Sequence, residues 1–157
     1  MNDDIRKYLN IDYYYNAVND NNIVDVISAD EFIKLIDKSE RNHIRAIQSM
    51  MQPNNCYSNS IFICDFDDSF EYVEGVMKSD EFNTMFHHSL VYSTKYDVYV
   101  DFTTDIANHK YYVSNHLNRD ETSAFIKRCT EYDEDEDDST LIPQFYNNDN
   151  IPLYWKD

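Results

Sequence analysis

The chain has 157 residues, of which 42% are apolar and 15% aromatic, and this is enough to build the core of one globular domain. Its formal net charge is −17, from 30 acidic and 13 basic residues. This excess of carboxylates excludes attraction to nucleic acid or to an anionic membrane, because both need cationic side chains, and it favours basic partners. No apolar run approaches the roughly 20 residues of a membrane helix.

The cysteines and the start of the chain indicate a compartment. Three cysteines are an odd and sparse set, which argues against a disulfide framework and for a reducing cytoplasm. Residues 1–4 are acidic where a secretory leader is basic and then apolar. Abundant Asn, Asp, Ile and Tyr with a single glycine are typical of AT-rich genomes such as those of many phages. We therefore expect a cytoplasmic protein, in the host cytoplasm if it is phage-encoded.

The first half of the chain is predicted to be helical. A weak helical pattern occurs at Ile5, Leu9 and Tyr13. Residues 28–31, Ser-Ala-Asp-Glu, form a capping box that predicts a helix start at Ser28. Apolar residues then recur at helical spacing in two stretches, at Phe32, Leu35 and Ile36 and again at Ile44, Ile47 and Met50 or Met51.

A turn and a cysteine separate these helices from a predicted sheet. Residues 53–55, Pro-Asn-Asn, favour a turn, and Cys56 precedes the apolar run 60–64. If that run is helical, Cys56 lies at the helix N-terminus, where free amides and the helix dipole favour a thiolate. Strand-like runs follow at 70–76, 89–93 and 98–102, with 111–113 as a possible fourth, and residues 122–132 have helical periodicity.

These elements predict an α+β fold with N-terminal helices packed on a small antiparallel sheet. Residues 1–132 are expected to form a single domain of the catalytic type. The segment 133–150 is acidic, because it contains most of the acidic run 131–138, and it is expected to stay solvated and mobile, since like charges repel and little apolar surface is available to bury. Residues 151–157 include Ile-Pro-Leu-Tyr-Trp, which either docks back on the domain or stays exposed.

Three residues in the middle of the chain have the chemistry of a thiol catalyst. Cys56 is the candidate nucleophile, His88 its acid/base partner and Asp101 the group that orients the imidazole. Two antiparallel strands joined by a turn at 94–97 would place His88 near Asp101 across the ladder. His87 competes for the same role, but neighbouring strand residues face opposite sides, so only one of the two histidines can reach the thiol.

An oxyanion site is expected beside Cys56. Its backbone amide is one candidate donor, and the second comes from Gln52, Asn54 or Asn55, with Asn59 as a supporting residue. The sequence predicts no metal and no cofactor. Cysteine spacing does not match a zinc site, and the acidic loop Asp65, Asp67 and Asp68 lacks the other ligands of a calcium loop.

The stretch 52–105 resembles a family of small bacterial and phage proteins with a papain-like or transglutaminase-like core. The family signature is a Cys-Tyr-x-Asn-Ser or Cys-Tyr-x-Asn-Ala helix start, a Tyr-Val-Glu-Gly strand, a His-Ala-Trp strand and an Asp-Pro-Thr strand. The matching segments here are 56–60, 72–75, 88–90 and 101–103. Their motif residues, besides the three catalytic positions, are Tyr57, Asn59, Tyr72, Glu74, Gly75 and Thr103. Leu90 replaces the family tryptophan and Phe102 the family proline.

This resemblance implies a Cys56, His88 and Asp101 triad and a cysteine-dependent amide hydrolase or acyltransferase, of peptidase, deamidase or transglutaminase type. Its substrate would be a protein or peptide, for which the net charge favours a basic one, and a host target if the chain is phage-encoded. The alternative is a non-enzymatic acidic binding protein that mimics nucleic acid or inhibits a basic host protein, because a string of carboxylates can replace phosphates. Solubility alone also accounts for the charge.

Overall fold

The computed structural model describes residue 18 and residues 20–81 and 84–130. They form an α+β fold with one curled, mixed sheet of six strands and four α-helices. The predicted helical pattern at 5–13 and the segments 133–150 and 151–157 lie outside the described residues. In the part of the chain that is described, no helix is both long and apolar enough to cross a membrane.

The elements follow one another in a simple order. Strands β1 (Ile23–Val24) and β2 (Val26–Ser28) precede helices α1 (Ala29–Leu35), α2 (Arg41–Ser49) and α3 (Cys56–Phe66). Strands β3 (Phe70–Ser79), β4 (Met85–Ser93), β5 (Val98–Asp101) and β6 (His109–His116) follow, and helix α4 (Arg119–Thr130) ends the described part. Short 3-10 helices cover Asp20–Asn22 and Lys38–Glu40.

The strand order in the sheet is β1-β6-β3-β4-β5-β2. Strands β1 and β2 are the two edges of the sheet, although Asp25 alone separates them along the chain. One residue spans only a few ångströms. The sheet therefore curls until its two edges meet at Asp25.

The curled sheet has a different apolar cluster on each face. On the outer face, Phe70, Tyr72, Val91 and Val100 pack with residues of the helices, among them Ile63 of α3. On the inner face, residues of three strands form a second buried cluster: Val73 and Met77 of β3, Leu90 of β4 and Tyr111 of β6. Helix α3 is thus fixed against the outer face, and this contact places its N-terminus.

Several predicted element boundaries agree with the structure. The Ser28 hydroxyl accepts a hydrogen bond from the amide of Glu31 at the start of α1, as a capping residue does. Cys56 is the first residue of α3. The last helix begins at Arg119 rather than at residue 122.

The prediction of an antiparallel sheet is wrong at one edge. Strand β2 pairs with β5 in parallel, in the register Val26 to Tyr99. The prediction that helices come first is also incomplete, because β1 and β2 precede α1. Both strands are two or three residues long, too short to show an alternating pattern in the sequence.

Candidate functional site

The Cys56 thiol lies at the beginning of helix α3. The preceding turn contains Asn54 in the left-handed region, with φ of 58°, a conformation that asparagine tolerates better than most residues. Asn55 is the N-cap residue and its side chain makes no capping hydrogen bond. Cys56 is a free, half-buried cysteine. Its position gives the sulfur both partial solvent access and the positive end of the helix dipole.

His88 lies on β4, opposite Gly75 of β3. Among the described strands, β5 pairs with β4 only from Val91 to Ser93, and the chain leaves the sheet after Asp101. The β4 segment that carries His88 therefore has an open side. The first turn of α3 lies at this opening, because Asn59 of that helix contacts Thr103 just beyond β5.

His88 and Asp101 form a buried pair. The distance between His88 Nε2 and Asp101 Oδ2 is 2.7 Å, and the two side chains are only 5% and 0% exposed. If the β4–β5 register is continued by one residue, Asp101 faces Leu90, so His88 is its diagonal neighbour on the same face. With Nε2 bound to Asp101, Nδ1 is the ring nitrogen left for the thiol.

The remaining acceptor positions of Asp101 are also used. Its Oδ1 accepts hydrogen bonds from the amides of Thr103 at 2.8 Å and Thr104 at 3.0 Å. Its Oδ2 accepts a further bond from the Tyr111 hydroxyl at 2.9 Å. A carboxylate with four donors is held in its ionised form, because a protonated carboxyl would have to give up at least one acceptor position.

The electrostatics of the pair follow from these contacts. Burial alone lowers the pKa of His88, but hydrogen bonds and charge interactions with Asp101 and with Cys56 outweigh it and raise that pKa to about 9. Burial raises the pKa of Asp101, yet the His88 hydrogen bond and charge, with the amides of Thr103 and Thr104, bring the pKa below its usual value. His88 is therefore held as an imidazolium between a carboxylate and the Cys56 sulfur.

Cys64 and His87, the second histidine of β4, lie in environments different from those of the three site residues. Cys64 is fully buried, and burial raises the pKa of its thiol far above the ordinary value. His87 lies on the opposite face of β4, opposite Val76 of β3, and burial lowers its pKa to about 4. The structure thus brings Cys56, His88 and Asp101 together and leaves His87 and Cys64 outside the group.

Asn59 joins three parts of the site. Its side-chain oxygen accepts from the Gln52 amide at 3.0 Å, and its side-chain nitrogen donates to the Gln52 carbonyl and to the Thr103 hydroxyl, each at 2.9 Å. The amide is only 4% exposed. Asn59 therefore ties the loop before Cys56 to the segment after Asp101, which gives a physical reason for an asparagine and a threonine at these motif positions.

The Tyr-Val-Glu-Gly strand supports the site from the sheet. Tyr72 donates a hydrogen bond to Glu74 at 2.7 Å, and both side chains are buried on the face toward the helices. Gly75, opposite His88, faces the backbone of β6, where an added Cβ would lie 1.9 Å from the Tyr112 carbonyl oxygen. Only glycine fits this close approach of two strands.

The candidate oxyanion donors lie in the exposed loop beside Cys56. Gln52, Asn54 and Asn55 are all exposed, and Gln52 uses its backbone to bind Asn59. Their side chains stay candidates for this role. Within the ranges that the structure describes, no group of three or more His, Cys, Asp or Glu residues could hold a metal ion.

Tyr111 is the part of the site that the sequence did not indicate as functional. It was a residue of a possible strand, and no spacing rule connects it to Asp101. The side chain is buried on β6 and its ring lies 5.7 Å from the imidazole of His88, measured between centroids. The only local signal was a tyrosine on a strand, which is common in any sheet.

Comparison with known proteins gives no relative of this chain. Models of known protein families, curated protein sequences and solved structures were searched, and none matches significantly. Function is therefore inferred from the geometry of the site and from the sequence motifs that build it.

Proposed function

We propose that this protein is a thiol hydrolase or acyltransferase that acts on amide bonds through Cys56, His88 and Asp101, in the manner of papain-like or transglutaminase-like enzymes. The observation that carries the proposal is the buried pair of His88 and Asp101, 2.7 Å apart, with the thiol of a helix-terminal cysteine interacting with the same imidazole. A structural histidine has no need of a buried carboxylate on one side and a half-exposed thiol on the other.

The first half of the reaction forms a thioester. The Cys56 thiolate attacks the carbonyl carbon of the substrate amide and forms a C–S bond, and the carbonyl π electrons move to oxygen. When the tetrahedral intermediate collapses, the C–N bond breaks and His88 transfers its proton to the leaving amine. Asp101 remains a carboxylate and keeps the imidazole in orientation.

The second half resolves the thioester. Neutral His88 accepts a proton from water or from an incoming amine, which attacks the same carbonyl carbon. The C–S bond then breaks, the acid or the new amide leaves, and the Cys56 thiolate and the imidazolium are restored. Water gives hydrolysis and an amine gives acyl transfer.

The surface around Cys56 determines how a substrate approaches. A cavity beside His88 and Gly75 measures about 10 Å³, room for one water molecule at most. The substrate carbonyl therefore approaches from the solvent side of Cys56, next to Asn54 and Asn55. The net charge of −17 favours a basic protein or peptide as substrate, and a host protein if the chain is phage-encoded.

An activated ester tests the acyl-transfer chemistry without knowledge of the substrate. We expect a burst of p-nitrophenolate from p-nitrophenyl acetate, with the acetyl group on Cys56 in peptide mass spectra. Cys56→Ala should abolish the burst, and His88→Ala should reduce the rate of the burst by a factor of about 100. Cys129, a half-buried cysteine of α4, provides the control, because Cys129→Ala should leave the burst unchanged. Acetylation spread evenly over the three cysteines, with no burst, would contradict the proposal.

The second candidate is an acidic binding protein, and the net charge of −17 is the observation that favours it. Such a protein would bind a basic partner through carboxylates and not through the thiol. Its binding to a histone, used as a probe, should weaken steeply with salt and be the same in Cys56→Ala. Binding that is indifferent to salt would contradict this second function.

A further inference from the structure

Tyr111 contacts both members of the buried pair. Its hydroxyl is 2.9 Å from Asp101 Oδ2, the same oxygen that His88 Nε2 approaches. Its ring lies 5.7 Å from the imidazole, inclined by 57°. The ionised Asp101 can only accept hydrogen bonds, so the Tyr111 hydroxyl must be the donor in this contact.

A β-bulge turns Tyr111 toward this site. Strand β6 pairs with β3 in the register Glu74 to Asn115, but the next pair is Gly75 to Val113, so Ser114 is an extra residue on β6. Without this shift Tyr111 would face Lys78 and point to the other side of the sheet. With it, Tyr111 faces Met77 and shares the inner face with His88. Bulges of this kind re-aim side chains next to active sites.

We infer that Tyr111 is a positioning residue of the proposed thiol site, which fixes Asp101 in the orientation that holds the His88 imidazole toward Cys56. This inference rests on the proposed function and deepens it. Tyr111 acts through Asp101 and touches neither the thiol nor a substrate. Its phenol stays protonated in this role, because burial and the charge of Asp101 raise its pKa far above the ordinary value.

Few other ionisable groups face this cluster. Asp101 on β5, Tyr111 on β6 and Cys56 on α3 surround His88. Asp105, after β5, interacts electrostatically with Tyr111. Loss of the Tyr111 hydroxyl therefore leaves Asp101 less well stabilised as an anion, and the imidazolium of His88 less well stabilised in turn.

The matched pair of variants is Tyr111→Phe and Tyr112→Phe. Each removes one hydroxyl from a buried tyrosine of β6, but Tyr112 points to the other face of the sheet, in a cluster with Val76. The readout is the rate at which iodoacetamide alkylates Cys56, resolved by peptide mass spectrometry, as a function of pH. We expect Tyr111→Phe to slow alkylation about tenfold near pH 6, which corresponds to one pH unit in the protonation balance.

The shape of the profile separates a positioning role from a structural one. Above about pH 10 a thiol with an ordinary pKa is ionised without help from an imidazolium, so the rates of Cys56 alkylation in Tyr111→Phe and in wild type should converge. Tyr112→Phe should follow wild type throughout. A Tyr111→Phe profile that coincides with wild type, or that is lower by the same factor at every pH, would overturn the inference.

Two further outcomes are also decisive. If Tyr111→Phe does not fold, Tyr111→Met replaces it, because methionine fills the space with a flexible apolar side chain. Tyr111→Met should then show the pH profile of alkylation expected for Tyr111→Phe. If neither variant folds while Tyr112→Phe does, Tyr111 is needed for the stability of the sheet, and the inference is overturned. If wild-type Cys56 itself reacts like an ordinary thiol and His88→Ala changes nothing, the proposed function fails. If Cys56 is alkylated rapidly in wild type and at the same rate in Tyr111→Phe, only the role of Tyr111 is refuted.

Discussion

Replacement of Asn59 by alanine tests whether the loop before Cys56 is held as the structure indicates. The variant loses three hydrogen bonds, two to the backbone of Gln52 and one to the Thr103 hydroxyl. At about 1 kcal/mol each the loss is about 3 kcal/mol. Alanine is the better helix former by about 0.6 kcal/mol, and water can reach exposed Gln52, so we expect a net loss of about 2 kcal/mol.

The measurement is urea unfolding followed by circular dichroism. The dependence of the free energy of unfolding on urea concentration, m, should be the same in wild type and in Asn59→Ala, which shows that the two proteins unfold from the same structure. Ser58→Ala is the matched control, because Ser58 is an exposed residue in the same helical turn and its replacement should change stability by less than about 0.5 kcal/mol. If Asn59→Ala loses less than about 1 kcal/mol, or no more than Ser58→Ala, Asn59 does not join the loop to the segment after Asp101.

Three further predictions concern the sheet, the buried pair and a buried thiol. Gly75→Ala places a Cβ 1.9 Å from the Tyr112 carbonyl oxygen and should cost about 3 kcal/mol or more in thermal unfolding; an unchanged Tm would refute the close approach of β3 and β6. Because the pKa of His88 is raised from 6.5 to about 9 and that of Asp101 is lowered from 3.8, the pair makes its full contribution to the free energy of unfolding between pH 3.8 and pH 6.5. It is lost as pH rises through about 9 and as pH falls through the folded pKa of Asp101; urea unfolding across pH should show both losses. In the control Asp101→Asn the low-pH loss should vanish and the high-pH loss should become smaller, because only Cys56 then raises the pKa of His88. Cys64 is buried with a raised pKa and should be alkylated only after unfolding, so rapid labelling of Cys64 in the native protein would contradict its placement in the core.

Local signals in the sequence predicted the part of the site that depends on neighbouring residues. The turn at 53–55 and the apolar run after it placed Cys56 at the start of a helix, as the structure has it. The turn at 94–97 joins β4 to β5, and the hairpin brings His88 to Asp101. These relations depend on short stretches of chain, which propensity and turn chemistry describe well.

The contribution of β6 could not be predicted in this way. Strand β6 follows β5 along the chain but does not pair with it, because β3 and β4 lie between the two strands in the sheet. Tyr111 reaches Asp101 because the sheet curls and because Ser114 adds a bulge that changes which face Tyr111 occupies. A shift of one residue reverses every side chain of a strand. The parallel pairing of β2 with β5 escaped prediction for a related reason, since a three-residue strand is defined by its partner and not by its own pattern.

The central claim is that His88 is held as an imidazolium between Asp101 and Cys56, and a nuclear magnetic resonance titration of its ring tests this most directly. The His88 ring signal is identified by its absence from His88→Ala and is followed across pH in the folded protein. We expect it to titrate with a pKa of about 9 in wild type and at lower pH in Cys56→Ala and in Asp101→Asn. A signal that titrates near the ordinary histidine value of about 6.5 in wild type, and is unaffected by Cys56→Ala, would contradict the account.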